Sequence, residues 1–533
     1  MATEILVMME NAKSRIDEIK KKIEILNGGI KFPFTGNEYY AGLIREAGDP
    51  IWLQLVPDNK ENEIVVGIKD PLQEDVYSPT KNLTHRYPDR VLFLLTNICT
   101  MYCRFCTRSR KVGSKEDRVI EQHINDAIKY IEGNPKVKDV LLSGGDPLVY
   151  PAKKLEPILK QVKGIQHVQI LRLGSRIPCT KPELIKEEIV DALKNYLTFF
   201  NTHFNHPWEL TNESKRATDM LIDSGIPVGD QTVLLRGVND NPKIIKELMY
   251  GLVKRRIIPY YIYQCDITEG REHFRTKIAD SLNIVSHLNL HHALIPMPHY
   301  VIDAPGGGGK IPLFANYSND TDNIAEIKNF SLEGIDNAKI CDAAVFRDKI
   351  GDNLADFYSA ADKLREMNAD AVMVVTLDTE KISDCSEFAE QIKKYSPVFV
   401  NVHFDHYDEI NQSKMILAKE LVSRGVPVLN LTYLKKGFND DPEMLKKLYR
   451  ILLSNKIKPS YMIIEDEKMA NLGKEMILSL KGHITGLCVP QLLLDDGVVR
   501  KILGPNYVVS HDSEKIVLKN YQGNVYEYPE AKY

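Results

Sequence analysis

The sequence predicts an α/β protein in which one architecture occurs twice, the second time shortened. Short apolar runs alternate with longer amphipathic stretches, the pattern of parallel strands joined by crossover helices in an open sheet or a barrel. Asn201-Thr-His203-Phe204-Asn-His206 returns as Asn401-Val-His403-Phe404-Asp-His406, an offset of 200 residues. The same offset carries Gly225-Ile-Pro227-Val228 onto Gly425-Val-Pro427-Val428, and Gly237-Val-Asn239-Asp240 onto Gly437-Phe-Asn439-Asp440. At 533 residues the chain is also long enough for two cores.

From the amino terminus, Met1 to Asn27 alternates charged and aliphatic residues at helical spacing and lacks the apolar core and cleavage site of a signal peptide, so 1–80 is expected to be an N-terminal helical region. The strands expected next are Val91–Thr96, Val140–Leu142, Val168–Leu173, Phe199–His203, Val228–Leu235, Tyr260–Gln264 and Tyr300–Ile302. Between them Glu121–Ile131, Leu155–Lys163, Pro182–Leu197, Glu213–Ser224 and Lys243–Arg255 read as helices. Further on the offset falls, yet Asn316-Tyr317 answers Asn506-Tyr507 and Lys328-Asn329-Phe330 answers Lys519-Asn520-Tyr521, so both copies end in the same tail. A boundary near Asp336 to Ile340 gives a first copy over 81–336 and a degenerate repeat over 337–533. In that repeat Ala371-Val-Met-Val-Val375 reads as the strand answering Val140-Leu-Leu142, and Thr376-Leu377-Asp378-Thr379 stands in place of Gly144-Gly145-Asp146-Pro147.

Composition excludes several classes. The net charge is −4 with Lys and Arg spread along the chain, so there is no nucleic-acid or membrane-surface footprint, and no stretch reaches membrane-span length. Eight cysteines are far below disulfide-scaffold density, which points to a reducing compartment, the cytoplasm.

Cys99-Thr-Met-Tyr-Cys103-Arg-Phe-Cys106 puts three cysteines within eight residues, directly after an expected strand. Soft thiolates suit iron–sulfur clusters, and a four-iron cluster normally takes four of them, so three leave one iron open. Zinc is the weaker reading, because Cys179, Cys265, Cys341, Cys385 and Cys488 supply no second ligand pair. The spacing resembles the radical S-adenosylmethionine signature, in which the open iron chelates the amino and carboxylate groups of that cofactor.

A second motif, Asp303-Ala-Pro305-Gly306-Gly307-Gly308-Gly309-Lys310, follows an apolar run and lets backbone approach a flat or phosphorylated group that the lysine can reach. A lysine amine forms Schiff bases with carbonyls, that of pyridoxal phosphate included, once burial or neighbours lower its pKa. A solvated surface loop is the competing reading, whereas a Walker-type phosphate loop is disfavoured by Ile311 where Ser or Thr belongs.

Taken together these residues resemble the lysine 2,3-aminomutases, pyridoxal-phosphate-dependent radical enzymes. The matching strings are Leu83-Thr-His85-Arg86-Tyr87-Pro88-Asp89-Arg90, Cys99 through Arg108, the turn Gly144 to Pro147, Asn201 to Pro207, Gln231 through Asp240, Cys265-Asp266 and the glycine-rich lysine loop. The resemblance implies a partial (β/α) barrel of the radical SAM type, followed by a shortened repeat of the same architecture. It implies a [4Fe-4S] cluster on Cys99, Cys103 and Cys106, a Schiff base on Lys310, and Arg86 with Tyr87 at the pyridoxal phosphate. His203 and Gln231 match residues near S-adenosylmethionine, and Gly144, Gly145 and Asp146 fall with the cofactor-binding residues. Arg108 matches the arginine that clamps the substrate α-carboxylate, and Asp266 and Asp303 match two carboxylates that hold the distal ammonium of lysine.

The reaction this implies is interconversion of L-lysine and L-β-lysine through a pyridoxal aldimine and a 5′-deoxyadenosyl radical, with reduced flavodoxin or ferredoxin as electron donor. Ornithine, arginine, a protein-bound lysine or a different radical SAM reaction stay open, as does a homo-oligomer. Three departures stand out: the second half itself, with cysteines too scattered for a zinc segment, so that no zinc is expected; Asp230 where many relatives have asparagine; and no clear second phosphate-binding arginine after Pro182. The repeat either covers the first copy as a second subunit would, or keeps a ligand site around His403 and Lys501 or Arg500. A structural role is favoured, because Asp495-Asp496-Gly497-Val498-Val499 has no glycine run.

Overall fold

The computed structural model describes residue 14 and residues 16–21, 32–63, 66–321, 323–332, 335–410, 412–497 and 499–531. The helix expected from Met1 to Asn27 lies largely outside these residues. Within them the N-terminal region holds the short helices Glu38–Gly42 and Pro50–Leu55 and a 3-10 turn at Asn59–Asn62.

The first sheet has nine strands in sequence order: β1 (Leu83–Tyr87), β2 (Arg90–Thr96), β3 (Asp139–Gly144), β4 (Ile170–Gly174), β5 (Phe199–Thr202), β6 (Val228–Leu234), β7 (Ile258–Gln264), β8 (His299–Ala304) and β9 (Gly309–Pro312). Strands β2 to β8 are parallel, while β1 and β9 add antiparallel at the two edges. All seven strands read from the sequence are present. Helices such as Glu121–Glu132, Asn212–Asp223 and Pro242–Val253 cross between them, each turning a buried apolar stripe toward the sheet. The glycine-rich lysine motif is not a loop throughout: Lys310 opens into β9, paired across the hairpin with Asp303. Side chains from all nine strands line one interior cavity, which a flat sheet could not do, so the sheet curls into a partial barrel.

The second sheet repeats the plan with β10 (Ile324–Ile327), β11 (Ala343–Ile350), β12 (Val372–Leu377), β13 (Val398–His403), β14 (Val428–Tyr433), β15 (Lys458–Ile464), β16 (Gln491–Asp495) and β17 (Arg500–Leu503). Again seven strands are parallel and the last is antiparallel. A small antiparallel sheet closes the chain: β18 (Val508–His511), β19 (Lys515–Lys519) and β20 (Val525–Pro529). Strand order corrects one correspondence. Because β12 pairs with β13 as β4 pairs with β5, residues 372–377 answer β4 rather than Val140–Leu142. The loss in the second copy therefore lies between β10 and β11, where residues 328–342 replace the cysteine loop and helix of residues 97–138.

The copies face each other reciprocally, as a twofold axis would demand. Arg256 donates to the Gly425 carbonyl at 3.0 Å, and Lys456, 200 positions later, donates to the Gly225 carbonyl at 2.7 Å. Tyr461 donates to the Ile295 carbonyl at 2.6 Å and accepts from Met297 N at 3.2 Å. Its counterpart Tyr261 is met by the second copy at Gly486, where a Cβ would stand 1.9 Å from the phenol oxygen. Among the described residues no helix is long and apolar enough to cross a membrane.

Candidate active site

Strand β2 delivers the cysteine loop to the carboxyl ends of the parallel strands, where sites of parallel α/β folds are built. The loop is held from outside by Arg104, which is fully buried: its guanidinium pairs with Glu61 and donates to the Phe32 and Pro33 carbonyls at 2.9 Å. With Arg104 turned outward, Cys99, Cys103 and Cys106 line the cavity, each partly buried. Burial and the neighbouring acid Asp146 hold the Cys99 thiol well above its usual range, and burial pushes Cys106 up to about 11. Among the described residues no three His, Cys, Asp or Glu side chains converge as ligands of a single ion would. A four-iron cube asks for something else, since each sulfur takes its own iron, and three sulfurs facing one cavity fit it.

Gly144 and Gly145 end β3 hard against this loop. A Cβ on Gly144, whose φ is +147°, would lie 2.2 Å from the Thr96 carbonyl oxygen, and one on Gly145 would lie 2.3 Å from that of Ile98. Only glycine permits the approach. Asp146 accepts from Ser175 Oγ at 2.7 Å and Arg176 N at 2.9 Å, and burial raises its carboxyl to about 6. It thus ties the β3 and β4 ends together. His203 contacts Asn205 Oδ1 through Nε2 at 2.9 Å, and burial, aided by Arg176, lowers it to about 3, so the imidazole is neutral. Gln231 donates to the Tyr263 hydroxyl at 3.2 Å. Asn201, 2% exposed, lines the cavity with both side-chain polar atoms unpartnered, which suits a polar ligand.

Lys310 Nζ donates to Asp303 Oδ2 at 2.7 Å, and its backbone N–H donates to the Tyr87 hydroxyl at 2.9 Å. Arg86 bridges the same pair, reaching Asp303 Oδ1 at 3.3 Å and the Tyr87 hydroxyl at 3.1 Å. Here the expected pKa direction is reversed: burial opposes the Lys310 ammonium, but Asp303 and Tyr87 outweigh it and raise the pKa. Burial likewise opposes the Tyr87 phenolate, yet Arg86, Lys310 and Arg90 pull that phenol below its ordinary value.

Asp266 accepts from Thr107 Oγ1 at 2.7 Å, and burial, then repulsion from Asp303, raises its carboxyl to about 7. Arg108 lines the cavity while pairing with Glu74 at 2.7 Å. The residues singled out from the sequence thus share one cavity of about 440 Å³, the size of a small-molecule site.

Two groups of lining residues escaped the sequence reading. Arg176, after β4, donates to Cys103 Sγ at 2.9 Å and pairs with Glu209 at 2.8 Å; its place at a strand's carboxyl end was the available signal. The second group comes from the other copy: Lys481, Gly482, Ile484, Thr485, Gly486, Val489, Tyr507 and Tyr521. Its tail grips the first copy throughout, with Asn520 donating to the Gly308 carbonyl at 3.0 Å and Tyr528 to that of Cys265 at 2.7 Å.

A cysteine triplet on the loop after the first parallel strand, opening into a partial barrel, places the protein among the radical SAM enzymes. A family model described as the Radical SAM superfamily matches residues 93–248, and one described as Lysine-2,3-aminomutase matches residues 477–533, in the second copy. The chain is 48% identical over 314 residues to L-lysine 2,3-aminomutase from Methanococcus maripaludis, an alignment covering 58% of this chain and 72% of that one. It is 49% identical over 283 residues to L-lysine 2,3-aminomutase from Clostridium subterminale, covering 52% and 68%. Glutamate 2,3-aminomutase from Clostridioides difficile is 40% identical over 301 residues, covering 56% and 71%. The chain belongs to the lysine 2,3-aminomutase family.

Proposed function

We propose that the chain is a radical SAM aminomutase, an isomerase interconverting L-lysine and L-β-lysine. The observation that carries the reading is a single cavity lined both by the three thiols and by Lys310. Cys99, Cys103 and Cys106 would hold the [4Fe-4S] cluster; Gly144, Gly145, Asp146, His203 and Gln231 the S-adenosylmethionine; and Arg86, Tyr87 and Lys310 the pyridoxal phosphate. When bound, these groups supply an electron, a hydrogen-abstracting radical and a carbonyl to carry the migrating nitrogen. Reduced flavodoxin or ferredoxin would deliver the electron. Residues 81–336 would carry the chemistry, preceded by the region 1–80, with 337–533 a non-catalytic repeat that takes β10 into its sheet.

The protein's own side chains bind, orient and keep the site dry. Arg108, with a fork suited to a carboxylate, would exchange Glu74 for the substrate α-carboxylate. Asp303 is engaged by Lys310 and Arg86 in the free protein. Once the Lys310 amine is committed to the cofactor, Asp303 is released to join Asp266 around the distal ammonium. Two carboxylates suit a cation and repel the side chain of glutamate, which favours lysine over the substrate named for the C. difficile relative. The test is anaerobic reconstitution with iron, sulfide, pyridoxal phosphate, S-adenosylmethionine and reductant, followed by chromatography of lysine against β-lysine. Loaded protein that yields no β-lysine from lysine would refute the assignment.

A further inference from the structure

We propose that the second copy supplies a phosphate-binding residue to the first: Lys481, standing on the cavity wall without a carboxylate partner, grips the phosphate of pyridoxal phosphate. This rests on the function proposed above and assigns a residue that neither the motifs nor the repeat had marked.

Seven lysines and arginines line the cavity. Six have a carboxylate: Arg86 and Lys310 share Asp303, Arg90 has Asp89, Arg108 has Glu74, Arg172 has Asp139, and Arg176 has Glu209. Among the described residues Lys481 alone has none. Its charged neighbours are other cations, Lys458 and Arg90. Burial, then Lys458 and Arg90, lower its ammonium to about 7, the behaviour of a cation awaiting an anion. Nearby His299 adds no negative charge; burial keeps it neutral and its Nδ1 is unpartnered.

Position then selects the anion. Lys481 caps the helix Ala470–Leu480, and Gly482, at φ +77°, turns the chain so tightly against Tyr521 that a Cβ would lie 2.3 Å from the ring. Tyr521 stacks on Tyr87 with centroids 6.4 Å apart, and Tyr87 bonds Lys310. Gly486, five residues on, abuts Tyr261, whose hydroxyl feels Lys310, Tyr87 and Arg90. The Lys481 turn therefore lies beside Tyr87 and Arg90, where β2 begins, whereas the cysteines follow the end of that strand. The anion needed there is the phosphate, because the substrate carboxylate falls to Arg108 and the S-adenosylmethionine carboxylate to the open iron.

The test titrates the full chain, cluster reconstituted, with pyridoxal phosphate and separately with pyridoxal, which lacks the phosphate, reading the visible absorbance of the lysine-bound ligand. Lys481→Ala should weaken pyridoxal phosphate binding by about tenfold to a hundredfold, the worth of a charge-assisted contact. It should leave pyridoxal binding and the cluster absorbance unchanged, and Lys481→Arg should restore most of the loss. Equal weakening of both ligands would mean a packing defect and overturn the inference, as would unaltered binding of both. Failure of the unsubstituted chain to take up pyridoxal phosphate would overturn the proposed function and this inference with it; normal uptake by Lys481→Ala would overturn the inference alone.

Discussion

His203 follows the fourth parallel strand of the first sheet, His403 ends the fourth of the second, and the two meet different surroundings. His203 contacts Asn205 and lies 5.5 Å from Phe105 of the cysteine loop, on the cavity wall. His403 stacks near Tyr433 at 5.2 Å with both ring nitrogens unpartnered. By strand register Arg500, not Lys501, answers Lys310: Asp495, in the place of Asp303, faces Arg500 and pairs with it at 2.7 Å, while Lys501 faces Leu494 and is exposed. The second copy kept the groups that set backbone geometry: Asn239 and Asn439 accept from Leu235 N and Lys435 N, both at 2.7 Å, closing the turn before them, and Glu209 and Glu409 both accept from the chain four residues earlier. What it lost are the cysteine loop and the amine at the Lys310 place, where an arginine now stands. Scaffold and chemistry in this architecture occupy separate side chains, so one can decay while the other persists.

The two copies should differ most in what substitution at the two cofactor sites removes. Cys103→Ala should abolish turnover and the cluster absorbance while leaving pyridoxal phosphate on Lys310, and Lys310→Ala should do the reverse; loss of both signals in either variant would contradict separate anchoring. Asp266→Asn should lower kcat/KM for lysine by about 10²- to 10³-fold, the cost of removing one partner from a buried charge pair. Because the Asp266 carboxyl is raised to about 7, it ionises only above that pH, so lysine should bind more tightly as pH rises through 7, and the variant should lose this slope.

A subtler contrast lies at Asp230 and Asn430, which occupy matching places and accept from Phe204 N and Phe404 N, both at 2.8 Å. Burial raises Asp230 to about 8 from an ordinary 3.8. Between these values the folded chain keeps a proton the unfolded chain has lost, so this residue makes stability fall as pH rises. Asp230→Asn should raise Tm more at pH 8 than at pH 5, and Asn430→Asp should lower Tm with the same trend, read by thermal denaturation. Asn520→Ala should cost roughly threefold to tenfold in pyridoxal phosphate retention, measured by dialysis, through the lost bond to Gly308. Lys501→Ala should change nothing in binding or turnover.

Most of the scaffold was legible because parallel strands buried on both faces are continuous apolar runs, and all seven of the first copy were read this way. The edge strands β1 and β9 were not: one is polar, Leu83-Thr-His-Arg-Tyr87, and the other begins in glycine. The residues expected in the site do meet around one cavity: the cysteines, Gly144 to Asp146, His203 and Asp266 lie at or just past the carboxyl ends of parallel strands, and the antiparallel edge strands bring in Arg86, Tyr87 and Lys310. Arg176 was missed because nothing local distinguishes a buried arginine that reaches a sulfur. Lys481 and Tyr521 were missed for a topological reason: they reach the cavity from 171 and 211 positions beyond Lys310, by a reciprocal packing of copies that no single-copy pattern displays.

The central claim is that a substrate anchored at Lys310 and a nucleoside anchored at the cysteines meet in the one cavity. Lysine carrying deuterium on its β-carbon tests this directly through the S-adenosylmethionine recovered after turnover. Deuterium at the 5′-carbon of the recovered nucleoside is the predicted result; β-lysine formed with none there would contradict the account.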